Sequence, residues 1–462
     1  MTDLGATIGE TPAATTPRPV TVRLNALQRL MHRWKLTAAY NAGQAMQVSG
    51  AGDLARWRQA IDATLHETGL CAPDVDRHSF ATFDMAKRGP GIAALSTAPT
   101  GTTLNALYNT ELQVPFHEGE VPLRFFIVPR NDGSHYLAAV YDHWVADSRA
   151  MRCLMQRIFV RYQQPDKPSA LPPLTLAAPP FLELFGRHFK PWLPWTIASF
   201  CIRGLWHHRN AHRMNLRVPN DYQSHLLYEA LPEGLIARVR AYAKAHDASV
   251  NDLFLALMGQ VMGEFTAVDR ANKRRRLFHF RKNKVGLGTI VDIRGQAAAN
   301  LDDVFGLYLS SYTVLLKDPE KQSLPVLMKT IADDTARYKK GGGTVRAFSA
   351  MVAASMFWHL YRPHNHTQMF HKTVPVISGI SNVNMSGSWV DRPRPVDLAH
   401  TDPPEILDYL RISPAGPLIP LVFTLTTINQ RLSLCMTYRT TAFTDAEGQQ
   451  ILRAFVARLA AL

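Results

Sequence analysis

Tyr136-Leu137-Ala138-Ala139-Val140-Tyr141-Asp142-His143-Trp144-Val145-Ala146-Asp147-Ser148 changes character twice within a short span. Its apolar opening, bounded by turn residues, reads as a strand. The run breaks at Asp142. Beyond it Met151, Leu154, Met155, Ile158, Phe159 and Tyr162 recur at helical spacing. Upstream, Pro122 to Val128 forms a second extended run, and the turn signal Asn131-Asp132-Gly133-Ser134 lies between the two, so a hairpin is expected. His143 therefore stands at the end of a strand and Asp147 at the start of a helix.

That placement carries chemistry. An imidazole with a pKa near about 6.5 can take a proton from an attacking hydroxyl or amine and pass it to a leaving group. An aspartate at a helix start can cap the helix and pair with a distant arginine, ordering the loop. The plain alternative is a hydrogen-bonded loop histidine beside an N-cap aspartate.

The rest of the chain sets the frame. It has 462 residues, of which 46% are hydrophobic and 19% charged, so extensive disorder is excluded. Lys plus Arg exceeds Asp plus Glu by 51 − 37 = 14, which favours an anionic partner: phosphates, an acidic protein or an anionic membrane surface. Cys71, Cys153, Cys201 and Cys435 are widely spaced and form no CxxC pair, so neither a disulfide framework nor a zinc knuckle is indicated. No secretory signal and no membrane-spanning run is found, and a cytoplasmic protein, soluble or peripheral at the membrane, is expected.

Working outward, residues 1–21 read as a disordered leader. Asp53 is placed to cap a helix with Leu54, Trp57, Ile61 and Leu65 on its apolar stripe, ending at Gly69. Residues 22–165 form a first half, 166–190 a linker or crossover, and 191–462 a second half. In the second half Ser249 with Asp252 resembles a capping box before the buried helix Leu253 to Met262. Thr289 to Ile293 and Tyr308 to Leu316 read as interior strands. Leu421 to Thr427 and Leu432 to Tyr438 read as a hairpin around Asn429-Gln430, and Thr444 with Glu447 forms a capping box before a closing helix. Helices and strands interleave without a βαβ rhythm, so the class is α+β.

Five segments, in order, carry a resemblance. Tyr141 to Ser148 resembles the HxxxD core of the condensation-domain superfamily, which includes chloramphenicol acetyltransferase and wax ester synthase/diacylglycerol acyltransferases. Ala248-Ser249-Val250-Asn251-Asp252-Leu253 is similar to the "ATVND" helix start of the wax ester synthase branch. Gly288-Thr289-Ile290-Val291-Asp292-Ile293-Arg294-Gly295 is similar to the "GxPVxxR" strand, and Val304-Phe305-Gly306-Leu307-Tyr308-Leu309 to the "GFFVN" strand. Ser381-Asn382-Val383-Asn384 resembles the "SNVP" segment. The pattern departs at Asp142, where two branches carry a first histidine, and at Ser148, which replaces a glycine.

The resemblance implies two chloramphenicol-acetyltransferase-like α/β halves in a V with a central tunnel. It implies an acyltransferase taking an acyl group from acyl-CoA, or from the phosphopantetheine arm of an acidic acyl carrier protein. The acceptor would be a hydroxyl or amine of a lipid or secondary metabolite, and no cofactor or metal is expected. His143 would be the general base, with Asp147 paired to Arg294 to hold the loop. Ser148, Ser381 and Asn382 are candidate oxyanion or substrate contacts. The alternative is a non-catalytic member that binds a carrier protein or acyl ligand.

Other signals have two readings each. The basic cluster that includes Arg274, Arg275 and Arg276 is either a solvated loop or a docking patch for coenzyme A phosphates or an acidic carrier; no nucleic-acid module accompanies it. Between Phe185 and Met214, Trp192, Trp195, Phe200 and Trp206 mix with arginines, which fits a membrane-interface segment or a partly buried crossover equally. His359, His364, His366 and His371 lack the regular spacing of a metal site.

Overall fold

A computed structural model describes residues 18–462 apart from 89–92, 166–168, 170, 189–194, 196–197, 200–201, 203–205, 207, 219, 275–281, 341–342, 346, 348–374, 386–402, 417–418 and 429, and omits the side chains of 273 and 274. The leader, the histidine cluster and Arg275 and Arg276 thus lie mostly or wholly outside the described residues.

The described strands, in chain order, are β1 (Val20–Arg23), β2 (Asn41–Val48), β3 (Pro73–Asp76), β4 (Phe80–Phe83), β5 (Ala94–Thr97), β6 (Leu123–Pro129) and β7 (His135–Asp142). They continue with β8 (Ser224–Ala230), β9 (Lys284–Asp292), β10 (Leu309–Lys317), β11 (Val376–Asn384), β12 (Ile406–Ile412), β13 (Leu421–Ile428) and β14 (Arg431–Arg439). One sheet runs β12-β2-β7-β6-β5, a second β10-β9-β11-β13-β14-β8, and a small third β1-β4-β3.

The β6–β7 hairpin closes through Gly133, whose φ of +78° is the left-handed conformation that glycine adopts without steric cost. All of β7 is buried, as befits a central strand covered on both faces. The Leu54–Thr68 helix starts where Asp53 accepts from the Arg56 N–H and stops at Gly69, φ +74°. Reciprocal capping also opens two later helices. Asp252 accepts from the Ser249 N–H at 3.0 Å while Ser249 Oγ accepts from the Asp252 N–H at 3.2 Å. Thr444 and Glu447 do the same before the Asp445–Ala460 helix.

Two features depart from the sequence reading. The strand β12, from late in the chain, leaves the second sheet and pairs antiparallel with β2, placing Arg411 opposite Gln44. Its pairing partner lies far away in sequence, so no local pattern announces it. Val304 to Tyr308 are not strand. The Gly306 carbonyl and Tyr308 N–H that a ladder would use are engaged by Asp147 and Arg294, and β10 begins only at Leu309.

Candidate active site

The site grows from the end of β7. Once the strand ends at Asp142, residues 143–147 form a short loop, and Asp147 caps the Ser148–Gln163 helix. Its Oδ1 accepts from the backbone N–H of Arg149 at 3.0 Å and of Ala150 at 2.9 Å. The other oxygen faces the segment between β9 and β10: Oδ2 accepts from Arg294 Nη1 at 2.6 Å and from the Tyr308 N–H at 2.8 Å. Arg294 Nη2 and the Asp147 N–H both donate to the Gly306 carbonyl, each at 3.2 Å.

Every lone-pair direction of this fully buried carboxylate is thus used. Burial alone would raise its pKa. The Arg294 guanidinium, with the N–H groups of Ala150 and Tyr308, outweighs burial and holds Asp147 below the ordinary carboxylate value. It therefore ties the loop to the segment between β9 and β10.

His143 sits on that loop, 8% exposed. Its backbone N–H donates to the Tyr40 carbonyl at 3.1 Å, and its ring packs between Tyr40 (centroids 5.8 Å apart, stacked) and Tyr141 (5.9 Å, edge-on). Nδ1 lies 3.1 Å from the Ala146 carbonyl oxygen. A carbonyl only accepts, so Nδ1 carries the proton and Nε2 keeps its lone pair. Burial lowers the pKa, more than the Ala146 carbonyl and Asp147 raise it. The ring is accordingly neutral at pH 7. Among the described residues nothing hydrogen-bonds to Nε2.

Asp142 is buried with Lys35 Nζ 2.8 Å from its Oδ2. Burial pushes its carboxyl upward against the opposing pull of Lys35. Gln28, in the Ala26–Trp34 helix, donates from Nε2 to the Trp144 carbonyl of this loop at 3.3 Å, and the helix N-cap Asn25 donates from Nδ2 to the Leu307 carbonyl at 2.7 Å. A cavity of about 210 Å³ opens there, walled by Trp144, Val145, Gly306, Tyr308, Arg23 and Phe181; His143 is not part of its lining.

The remaining candidates fall elsewhere. Ser148 begins the helix, and its carbonyl and Oγ accept from Gln44 Nε2 at 2.9 and 3.3 Å. Ser381 and Asn382 lie half-buried on β11 in the second sheet, and neither hydrogen-bonds to His143. Ser381 is held by Arg411, a residue that no local sequence signal picks out. Arg274 ends the Val250–Arg274 helix, beyond which the basic cluster is not described. Trp195 and Trp206 are exposed, with the Arg209 guanidinium 3.4 Å over the Trp206 ring. Among the described residues no group of three or more His, Cys, Asp or Glu could hold a metal ion, and no helix is long and apolar enough to cross a membrane.

No family model and no curated protein matches the sequence. Solved structures match across nearly the whole chain. The trichothecene 15-O-acetyltransferase TRI3 from Fusarium sporotrichioides is 11% identical with a TM-score of 0.69, covering 98% of this chain and 96% of that one. The first condensation domain of the CDA synthetase is 14% identical with a TM-score of 0.62, covering 96% and 95%. An X-domain from teicoplanin biosynthesis, solved in complex with OxyB, is 14% identical with a TM-score of 0.57, covering 98% and 96%. The chain therefore has the α+β fold seen in these acetyltransferase and condensation-domain structures.

Proposed function

We propose that the protein is an acyltransferase in which His143 is the general base. A hydroxyl or amine would give its proton to Nε2 as its oxygen or nitrogen bonds to the carbonyl carbon of an acyl thioester. The tetrahedral oxyanion would then collapse, breaking the C–S bond, and the imidazolium would return the proton to the departing thiolate. The observation that carries this reading is the placement of the His143 ring at the end of β7, with Nδ1 3.1 Å from the Ala146 carbonyl oxygen and no hydrogen-bond partner at Nε2 among the described residues. Asp147 and Arg294 act as positioning residues, because the loop bearing His143 hangs on their ion pair.

The donor is coenzyme A or an acidic carrier protein, which the excess of 14 positive charges would attract. It would enter a tunnel between the halves from one face and the acceptor, a lipid or secondary metabolite, from the other. Ser148, Ser381 and Asn382 are candidate oxyanion donors. The basic cluster at Arg274 to Arg276 is the proposed docking patch, and exposed Trp195, Ile202 and Trp206 support peripheral contact with a membrane.

A second reading, a non-catalytic binder of a carrier protein or acyl ligand, draws support from Asp142 tied to Lys35 where a first histidine stands in two branches. Mass spectrometry separates the two. Incubated with a mixed acyl-thioester pool and cell extract, an acyltransferase yields free thiol and a new ester or amide; the binder leaves every thioester intact.

A further inference from the structure

Two guanidinium groups, one on β12 and one on the helix that follows the His143 loop, have no acid partner among the described residues. Arg411, on β12, is 2% exposed. Its Nε donates to Thr426 Oγ1 at 3.1 Å and its Nη1 to Ser381 Oγ at 3.0 Å. Nη2 donates to the carbonyls of Ser381 at 3.0 Å and Leu425 at 2.6 Å. All of these acceptors are uncharged. They lie on β11 and β13, so Arg411 also straps the crossing strand back to the second sheet.

Arg152 is the second group, one turn into the Ser148–Gln163 helix and half-buried. Its Nε donates to the Ser148 carbonyl at 3.3 Å. The other arginines of that helix are neutralised. Arg149 reaches Asp292 at 3.0 Å and Asp302 at 2.5 Å, Arg157 reaches Asp303 at 2.7 Å, and Arg161 reaches Glu67 at 2.6 Å. Among the described residues, no carboxylate pairs with Arg152 or Arg411.

Arg152 bears electrostatically on Arg411. Burial first, and then Arg152, pulls Arg411 down to about 9. Gathering like charges in a low-dielectric interior is unfavourable and persists where something else offsets it. Register places the pair relative to the base. Arg411 stands opposite Gln44, which binds Ser148, and Tyr409, two residues back on the same strand face, donates its hydroxyl to Gln44. Tyr141, electrostatically coupled to both arginines, lies edge-on to the His143 ring.

We propose that Arg152 and Arg411 form a binding site for a carboxylate carried by one of the two substrates, which deepens and rests on the acyl-transfer reading. Four of the five guanidinium hydrogens of Arg411 are already used, so the site suits a small planar anion better than a phosphate, which asks for more donors. Arg411 would supply buried charge and Arg152, at the exposed side, would close on the anion.

The test measures binding by calorimetry to full-length His143→Ala protein, where turnover does not interfere. Succinyl-CoA is compared with butyryl-CoA for a carboxylate on the acyl chain, and 3-hydroxybutyrate with 1,3-butanediol for one on the acceptor. In one pair the carboxylate-bearing ligand is expected to bind at least about tenfold more tightly. Arg152→Gln, which leaves the Arg411 strap intact, should abolish that preference without changing affinity for the neutral partner. No preference in either pair, or one that survives Arg152→Gln, would overturn the site. A preference that depends on Arg152, found together with a wild-type protein that consumes no thioester, would uphold the anion site and overturn the acyl-transfer reading alone.

Discussion

Arg294 Nη1 donates to Asp147 Oδ2 at 2.6 Å across 147 residues of sequence, and both side chains are buried. This contact ties the loop bearing His143 to the segment that links β9 to β10. Removing one partner of such a pair leaves an uncompensated buried charge, at a cost of about 3–5 kcal/mol. Asp147→Asn should therefore lower unfolding free energy by that order, read from urea denaturation, and reduce turnover as well. Adding Arg294→Gln should recover part of the loss. A double variant as unstable as the sum of the singles would show that the pair is not coupled.

The tautomer of His143 can be observed directly. Nitrogen-15 NMR of histidine-labelled protein at pH 7 should show a neutral ring protonated on Nδ1, since that atom faces a carbonyl oxygen. Because burial lowers its pKa, the acid limb of kcat/KM should fall below about 6.5, the ordinary histidine value. A rate that already declines between pH 8 and 7 would argue for a different titrating group.

A second histidine gives the fold its own pH dependence. His32 Nδ1 lies 2.7 Å from His78 Nδ1, and His32 stacks edge-on against Trp144 at 5.0 Å. Burial, with His78 next, lowers the His32 pKa to about 4. An unfolded histidine binds its proton near 6.5, so between about 6.5 and 4 the unfolded chain holds more protons than the native one. Stability is thus lost as pH falls through that window. Melting temperatures from pH 7 to 4.5 should drop less steeply for His32→Gln than for wild type, and parallel curves would remove His32 as a cause.

The closing helix offers a local check. Thr444 Oγ1 accepts from the Glu447 N–H at 3.2 Å and Glu447 bonds back to the Thr444 N–H. Thr444→Ala should cost about 1 kcal/mol in chemical denaturation without altering turnover. A change in turnover at constant stability would mean that this helix reaches the active site.

What the sequence discloses follows the range of the interactions. β7 and the helix after it are legible because burial imposes a strand run and then a 3.6-residue stripe on adjacent residues. The Gly69, Ser249–Asp252 and Thr444–Glu447 boundaries are legible because capping uses neighbours three or so positions apart. In contrast, β12 was not legible: its ladder partner β2 lies at the other end of the chain, and its face carries Arg411, which no strand pattern expects. Spacing alone cannot pair Asp147 with Arg294; only the resemblance names them together. Nothing in the sequence shows that Gly306 and Tyr308 give up a ladder to bind them.

The central claim is that one neutral imidazole removes the proton from the attacking group. Thioester consumption by wild type and His143→Ala, with matched circular dichroism, tests it most directly. The expected result is a loss of about 10²–10⁴-fold on removing the ring. Equal rates in the two proteins would contradict it.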